Sequence, residues 1–294
     1  QTQGTRVSAN LFHDNCMPRD YLLQRKNTMG LGLGEDIFIE IAHGPCLVDN
    51  NIMLSERAIK LPTQGVAFVH NLIAGSVTAV GKGVKNGSEK YDSTRYTPIH
   101  LPHRTEITGF MSILHGDVRF YNNVFVQQPV REQLQEICKP LPGDSMEWDD
   151  NNLVCGTLTY SGYMTQEQWE SCFQGYCGEG CGMSRDRYYM PLPVWMGGNV
   201  YFNGAQPADI DTDAVVDTQH HITLELKQKD GVYHLDTNLA DYLPTCQMID
   251  SNTLGLAFEP EERFETPEGE DIVFDTDFYG NKRGVSPVPG PFAN

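Results

Sequence analysis

One short pattern recurs along the first two thirds of the chain: an apolar residue, two variable positions, an asparagine and two apolar residues. Two of its copies lie 20 residues apart, and the other intervals are longer. The asparagines are Asn10, Asn51, Asn71, Asn123 and Asn199. Short β-favouring segments that repeat every ~20 to 30 residues are typical of a solenoid, in which each repeat adds one coil.

The repeat predicts an all-β fold, a right-handed parallel β-helix. Leu, Ile, Val and Phe stack inside such a coil, while asparagine tolerates left-handed backbone at the turn and its amide can stack on the asparagine of the next coil. The longer intervals become loops, such as residues 82–98. The alternative is an antiparallel protein whose Asn-Asn and His-Asn pairs mark hairpin turns, although type I′ turns prefer Asn-Gly.

After about residue 130 the sequence predicts short helices in VREQLQEI and TQEQWESCF, and later a hairpin in HITLELKQKDGVYHLDTNL around a Lys-Asp-Gly turn. We therefore predict three regions. They are 1–204 (β-helix coils with insertions at 16–34, 82–98 and 130–190), 205–260 (an accessory β-hairpin or sandwich-like unit) and 261–294 (an extended tail that packs back on the body).

The chain is strongly acidic, with 21 basic and 39 acidic residues and a formal net charge of -18. This charge argues against binding to nucleic acid or to an anionic membrane, because both require clustered Lys and Arg. No apolar run approaches the roughly 18 to 20 residues of a membrane-spanning helix. The charge fits a neutral or cationic partner. Because the chain opens on Gln1 rather than Met, we expect that an upstream part is missing.

Cysteine usage favours an extracellular location. The chain has eight cysteines, three of which (Cys172, Cys177 and Cys181) fall in a Gly-rich stretch. A zinc site normally requires four Cys or His ligands, often with paired CxxC spacing, which is absent, so disulfides are favoured over a metal site or free thiols. Asn86 begins an Asn-Gly-Ser sequon, which predicts glycosylation and agrees with secretion.

No metal or cofactor site is predicted. Asp209, Asp211 and Asp213 alternate as in a calcium loop, but the glycine and the closing glutamate of an EF-hand are missing, which favours a solvated acidic loop. The GLGLGED stretch lacks the flanking strand and helix of a dinucleotide site. Asp117 and Arg119 are interpreted as an ion pair that closes a turn.

Glu40 is the first candidate for catalysis. It lies between Ile39 and Ile41, and the two-residue period of a strand places these isoleucines on the face opposite the carboxyl. If the isoleucines are buried, Glu40 projects into a groove, where apolar neighbours such as Phe38 and Ala42 favour the protonated form that a catalytic acid requires. The alternative is an exposed glutamate that interacts only with solvent.

Further polar residues near predicted strand ends form a candidate substrate-binding set. His43 precedes Gly44-Pro45, where the strand must turn, and PIHLPHRTEITG places histidines on a loop upstream of a second glutamate between a threonine and an isoleucine. The set is Asp36, His43, His100, His103 and Glu106. The alternatives are that His43 merely caps its turn, or that the histidines and glutamates bind a metal, but neither HxH nor HExxH spacing is present.

Seven segments, taken in their order along the chain, also resemble one family. They are QGTRVSANLFHDN, EDIFIEIAHGPCLVDNNIMLS, QGVAFVHNLIAG, PIHLPHRTEITG, GDVRFYNNVFV, WMGGNVYFNGAQP and DTDFYGNKRGVSPVPGPFAN. Together they are similar to the right-handed β-helix glycoside hydrolases of family 120, which are β-xylosidases. The likeness spans nearly the whole chain, and DIFIEIAHGP is its most specific part.

The resemblance implies a retaining mechanism, in which an aspartate attacks the anomeric carbon and a glutamate serves as general acid and base. By motif position Glu40 matches that glutamate, while His43 and the loop with His103 and Glu106 would line the sugar subsite. No cofactor is implied, and the expected substrate is an oligosaccharide.

The chain departs from the family at the nucleophile. The resemblance places the aspartate shortly before QGTRV, whereas this chain begins at QTQGTRV, and neither Asp14 nor Asp20 matches the position. Residues 16–34 resemble an insertion next to the site. We therefore expect an N-terminal fragment or a second chain to complete the β-helix and supply the aspartate. The rival hypothesis is a non-catalytic β-helix with a structural or carbohydrate-binding role.

Overall fold

A computed structural model describes five stretches of the chain, namely residues 3–16, 34–79, 96–138, 152–173 and 191–293. These residues form mostly β-structure with a few short helices, in agreement with the predicted all-β class. Within these stretches no helix is long and apolar enough to cross a membrane.

The chain passes first through three parallel sheets, three times in the same order, and then twice more through the first two of them. We call each pass a coil. The first sheet contains β1 (Thr5–Ser8), β4 (Cys46–Asp49), β7 (Val66–Val69), β12 (Val118–Tyr121) and β14 (Val194–Gly197). The second sheet contains β2 (Leu11–Phe12), β5 (Ile52–Met53), β8 (Leu72–Ile73), β13 (Val124–Val126), β15 (Val200–Phe202) and β16 (Val215–Val216). The third sheet contains β3 (Ile37–Phe38), β6 (Arg57–Leu61) and β9 (Ser76–Ala79).

The predicted asparagine ladder is confirmed by the hydrogen bonds between coils. The Asn51 side-chain amide donates to Asn71 Oδ1 at 3.1 Å, and the Asn71 amide donates to Asn123 Oδ1 at 2.9 Å. Each carboxamide oxygen also accepts the backbone N–H of the asparagine in the preceding coil, as Asn71 Oδ1 does from Asn51 at 2.9 Å. The ladder continues to Asn199 and begins at Asn10.

The left-handed backbone of this corner lies one residue earlier than predicted. Ala9, Asn50, His70 and Asn122 have φ angles of 53° to 54°, and Gly198 has 65°. The residue before each ladder asparagine therefore makes the turn, which leaves the asparagine side chain directed along the stack of coils. Left-handed backbone is sterically costly for most L-residues, so the ladder bonds help to compensate for it.

The core fills the space enclosed by the three sheets. Equivalent residues of successive coils stack on one another, as the rings of Phe68 and Phe120 do with centroids 4.9 Å apart. Phe125 and Tyr201 form a second stack, also at 4.9 Å. Cys46, Val66, Val118 and Val194 pair in one row across the first sheet.

The remaining elements lie outside the coils. They are a hairpin of β10 (Tyr96–His100) and β11 (Ile107–Ser112), α1 (Glu132–Ile137), a 3₁₀ turn (Leu158–Tyr160), α2 (Gln166–Ser171), a hairpin of β17 (Leu224–Lys229) and β18 (Val232–Thr237), a 3₁₀ turn (Leu239–Asp241), α3 (Ser251–Leu254), β19 (Leu256–Ala257) and β20 (Glu262–Arg263). Both predicted helices and the β17–β18 hairpin are thus confirmed. Asp230 and Gly231 have φ angles of 54° and 81°, as a type I′ turn requires.

Residues from the last quarter of the chain cover the outer faces of the first two sheets. Phe264, Ile272 and Phe274 form an apolar cluster with Leu47 and Ala67 of the first sheet. A second cluster joins the second sheet to residues of the 222–243 region. The domain boundaries themselves remain a prediction.

The ion pair predicted for Asp117 and Arg119 is present and buried, at 2.6 Å. Arg119 does more than close a turn, because its Nε donates to Leu254 O at 2.7 Å and its guanidinium lies 4.2 Å from the Trp195 ring centroid. Asp117 accepts the backbone N–H of Phe258 at 2.8 Å. The pair therefore fastens the C-terminal region to the first sheet.

No disulfide joins any two of the six cysteines in the described stretches, so the disulfide prediction gains no support there. Burial raises the pKa of Cys16 to about 11 and that of Cys246 to about 12, which keeps both as neutral thiols. Cys177, Cys181 and the sequon at Asn86 lie outside the described residues.

Candidate functional site

Glu40 lies on the outer face of the third sheet, just beyond the end of β3. The ladder of this sheet continues past the strand, since the N–H groups of Ile39 and Ile41 donate to Lys60 O and Pro62 O at 3.2 and 3.0 Å. Ile39 packs against the core, and Glu40 is exposed. The predicted alternation therefore holds as far as Glu40 and ends at Ile41, where φ is 52°.

The surroundings of Glu40 are less apolar than predicted. Ala42 is buried, whereas the Phe38 ring is 43% exposed. The register pairs Phe38 with Lys60, and the Lys60 ammonium, which is itself buried, lies 5.9 Å from the Phe38 ring centroid. This outer face therefore presents a carboxylate and an exposed aromatic ring, groups that can bind hydroxyls and the apolar face of a small polar molecule.

His43 occupies a buried position rather than the open surface predicted for a ligand contact. It is only 1% exposed, its Nδ1 lies 3.0 Å from the side-chain amide of Gln64, and its Nε2 lies 3.3 Å from Met111 O in β11. Burial lowers the pKa of His43 to about 4, so the ring is neutral near pH 7. Both ring nitrogens are therefore engaged within the protein, and the contact with Met111 fastens the β10–β11 hairpin to the second coil.

The other predicted residues of this region lie on the β10–β11 hairpin. His100 Nδ1 is 3.2 Å from Thr105 O, and His103 Nε2 is 2.6 Å from Glu265 Oε1. Glu106 is exposed and accepts two hydrogen bonds from Arg104. β10 and β11 are antiparallel and lie outside the coils, so Glu106 and Glu40 lie on different kinds of element.

Asp36 lies at the start of β3, away from the segment that follows Glu40. Its Oδ1 accepts from the Asn15 amide at 2.9 Å, and its Oδ2 accepts the Ser55 N–H at 3.1 Å. Burial raises the pKa of Asp36. The carboxylate therefore links the first and second coils, and the structure does not bring it together with the rest of the predicted set.

A cavity of about 470 Å³ opens beneath the tip of the β10–β11 hairpin. Its walls are the hairpin tip, the beginning of β1 and residues 262–267, and His103 is among its lining residues. Gln3 connects these walls, accepting the His100 N–H at 2.6 Å and donating to Glu262 Oε1 at 3.1 Å. The volume is in the range of small-molecule sites, and the charged rim suits a polar ligand. Among the described residues, no group of three or more His, Cys, Asp or Glu could hold a metal ion.

The chain is similar to the solved structure of XylC in complex with xylose. The TM-score is 0.73 and the sequence identity 29%, over 99% of this chain and 38% of XylC. The chain shares the fold of part of XylC. This chain spans less than half the length of XylC. No family model and no curated protein matches the sequence.

One polar feature of the coils was not predicted from the sequence. A glutamine or histidine followed by glycine precedes four of the first-sheet strands, as Gln3-Gly4, His43-Gly44, Gln64-Gly65 and His115-Gly116. A Cβ at Gly65 would lie 1.9 Å from His43 O of the neighbouring coil, which explains the glycine. This close approach of the two backbones brings together the side chains that precede the glycines, as it does for Gln64 and His43. The recurring dipeptide was a signal that could have identified this row.

Proposed function

We propose that this chain is part of a glycoside hydrolase and that Glu40 is a catalytic residue. The observation that carries the proposal is an exposed carboxylate on the outer face of a parallel sheet, in a fold similar to a protein solved with xylose. The similarity spans nearly the whole of this chain, which includes the segment with Glu40. Because this chain covers only 38% of XylC, hydrolase activity is proposed for the full-length protein.

We further propose that the coils form a right-handed parallel β-helix. Three parallel sheets, which the first three coils visit in constant order, support this arrangement. A connection between parallel strands of one sheet is right-handed in about 98% of cases, which supports the handedness.

In the finer form of the proposal, the enzyme is a retaining β-xylosidase of the family 120 type. An aspartate from a segment upstream of Gln1, or from a second chain, attacks the anomeric carbon, and Glu40 donates its proton to the leaving oxygen as the glycosidic bond breaks. Glu40 then removes a proton from the water that attacks the glycosyl-enzyme, which releases the sugar and regenerates the aspartate. Phe38 and the cavity near His103 would bind parts of the oligosaccharide, and His43 would hold the hairpin wall in place. Secretion and glycosylation at Asn86 are further parts of this proposal and rest on the sequence alone.

Substitution Glu40→Gln in the full-length protein tests the assignment. We expect hydrolysis of an aryl β-xyloside to fall by about 10²- to 10⁴-fold, because general acid-base catalysis is lost. Added azide should restore turnover and yield a β-xylosyl azide, since a small anion needs no general base. Glu225→Gln, which changes an exposed carboxylate of β17, is the matched control and should retain activity.

Unchanged activity in Glu40→Gln would disprove the acid-base role. A full-length protein that binds xylose without hydrolysing any xyloside would instead favour the non-catalytic carbohydrate-binding alternative.

A further inference from the structure

A second groove crosses the corner between the second and third sheets, where the strands of the third sheet begin. Glu40 lies at the other end of these strands. Turn residues of successive coils line it, beginning with His13 in the first coil and continuing through Leu54 and Ala74 to Gln128. Neighbouring strands are about 4.8 Å apart, so four coils span roughly 14 Å, enough for a disaccharide or trisaccharide. The groove encloses about 550 Å³.

The β17–β18 hairpin overhangs this groove. Leu235 packs on the outer face of the second sheet, whereas its cross-strand partner Leu226 lines the groove. Tyr233, nearer the tip of the hairpin, lines the groove as well. Tyr233 is 44% exposed although it lies on the hairpin face that is packed at the base. The hairpin therefore holds an aromatic ring over an open space instead of over packed side chains.

Polar groups surround this ring. The rings of Tyr233 and His13 have centroids 4.5 Å apart and are tilted by 57°. His13 Nδ1 lies 2.7 Å from the Asp14 carboxylate, whose side chain is 92% exposed. Glu56 binds both the guanidinium and the backbone N–H of Arg131, the latter at 2.7 Å, and both residues line the groove.

We propose that this groove is a second binding site for a short neutral oligosaccharide. A sugar ring has C–H groups on its faces and hydroxyls around its edge, which matches an aromatic ring beside leucines with carboxylates and a guanidinium at the rim. The acidic lining and the net charge of -18 disfavour a polyanion, and the rim charges disfavour a wholly apolar ligand. The choice of xylo-oligosaccharides as the ligand rests on the function proposed above.

The test is calorimetric titration of the full-length Glu40→Gln protein with xylotriose, which measures binding without hydrolysis. We expect two molecules bound per chain. Adding Tyr233→Ala should remove the second site or weaken it at least fivefold, whereas Tyr233→Phe should retain it because the ring remains. His234→Ala is the matched control, since this neighbour is exposed on the opposite face of the same strand, and it should leave both sites intact.

A protein that hydrolyses aryl β-xylosides but shows one site, or a second site indifferent to Tyr233→Ala, would overturn this inference and leave the proposed function standing. A protein without hydrolase activity whose xylotriose binding depends on Tyr233 would support the groove and contradict the proposed function.

Discussion

At the scale of single residues, the buried asparagines are the most demanding part of this fold. Asn71 accepts the backbone N–H of Asn51 and donates to Val48 O at 2.9 Å as well as to Asn123. One side chain thus satisfies groups in the coils on both sides of it. A buried peptide group that loses its partner costs about 1 to 3 kcal/mol.

Asn71→Ala should therefore lower the free energy of unfolding by about 3 kcal/mol, since two backbone groups lose their partners. Asn10→Ala removes the same side chain at the exposed beginning of the ladder and should cost about 1 kcal/mol or less. Urea denaturation of both variants measures the difference. Equal losses would show that the ladder does not depend on burial.

At the scale of elements, the β10–β11 hairpin depends on a neutral histidine. The pKa of His43 falls from an ordinary 6.5 to about 4 on folding. Between these values the unfolded chain binds more protons than the native one, so the stability contributed by His43 is present above pH 6.5 and is lost as the pH falls toward 4.

His43→Gln tests this linkage, because glutamine occupies the same position in the neighbouring coils and cannot be protonated. We expect the variant to lose less stability than the wild type between pH 6.5 and pH 4, by at most about 3 kcal/mol. Burial raises the pKa values of Asp211 and Glu259 to about 6, so their protonation stabilises the fold as the pH falls. This effect is the same in both proteins, and the difference between their pH-stability curves therefore isolates His43. Parallel pH-stability curves would contradict the anchoring role.

At the scale of the whole molecule, a few buried cations attach the C-terminal region to the coils. Arg119 connects the first sheet to Leu254, and Arg283 donates to Asn50 Oδ1 at the corner of the second coil at 2.7 Å. Both arginines are almost fully buried, so each must keep several acceptors in place.

Arg119→Met should cost about 3 to 5 kcal/mol, because it leaves the Asp117 carboxylate buried without its partner. Amides of residues 254–264 should lose protection in hydrogen exchange more than those of the coils. Arg104→Met breaks an exposed ion pair with Glu106 and should cost about 1 kcal/mol or less. Uniform loss of protection would argue against a local fastening role.

Local chemistry explains which predictions from the sequence succeeded. The asparagine repeat, the β17–β18 hairpin and the helix α2 each depend on a pattern within a few residues, such as the type I′ turn of the hairpin or the capping box of α2. Less of the candidate site could be predicted in this way. Strand period placed Glu40 on an outer face, but the interactions of His43 and Asp36 depend on residues from other coils and the hairpin.

The sequence by itself determined the coil: its strands, its inward apolar residues and the asparagine that joins it to the next. Tertiary structure alone decided what covers the coils and which polar residues remain open. Phe264 and Arg119 are 145 residues apart in the sequence, yet the Arg119 guanidinium lies 5.1 Å from the Phe264 ring centroid. Periodicity within a coil is local, whereas coverage depends on contacts between distant segments, and it is those contacts that bury His43 and leave Glu40 and the Tyr233 groove exposed.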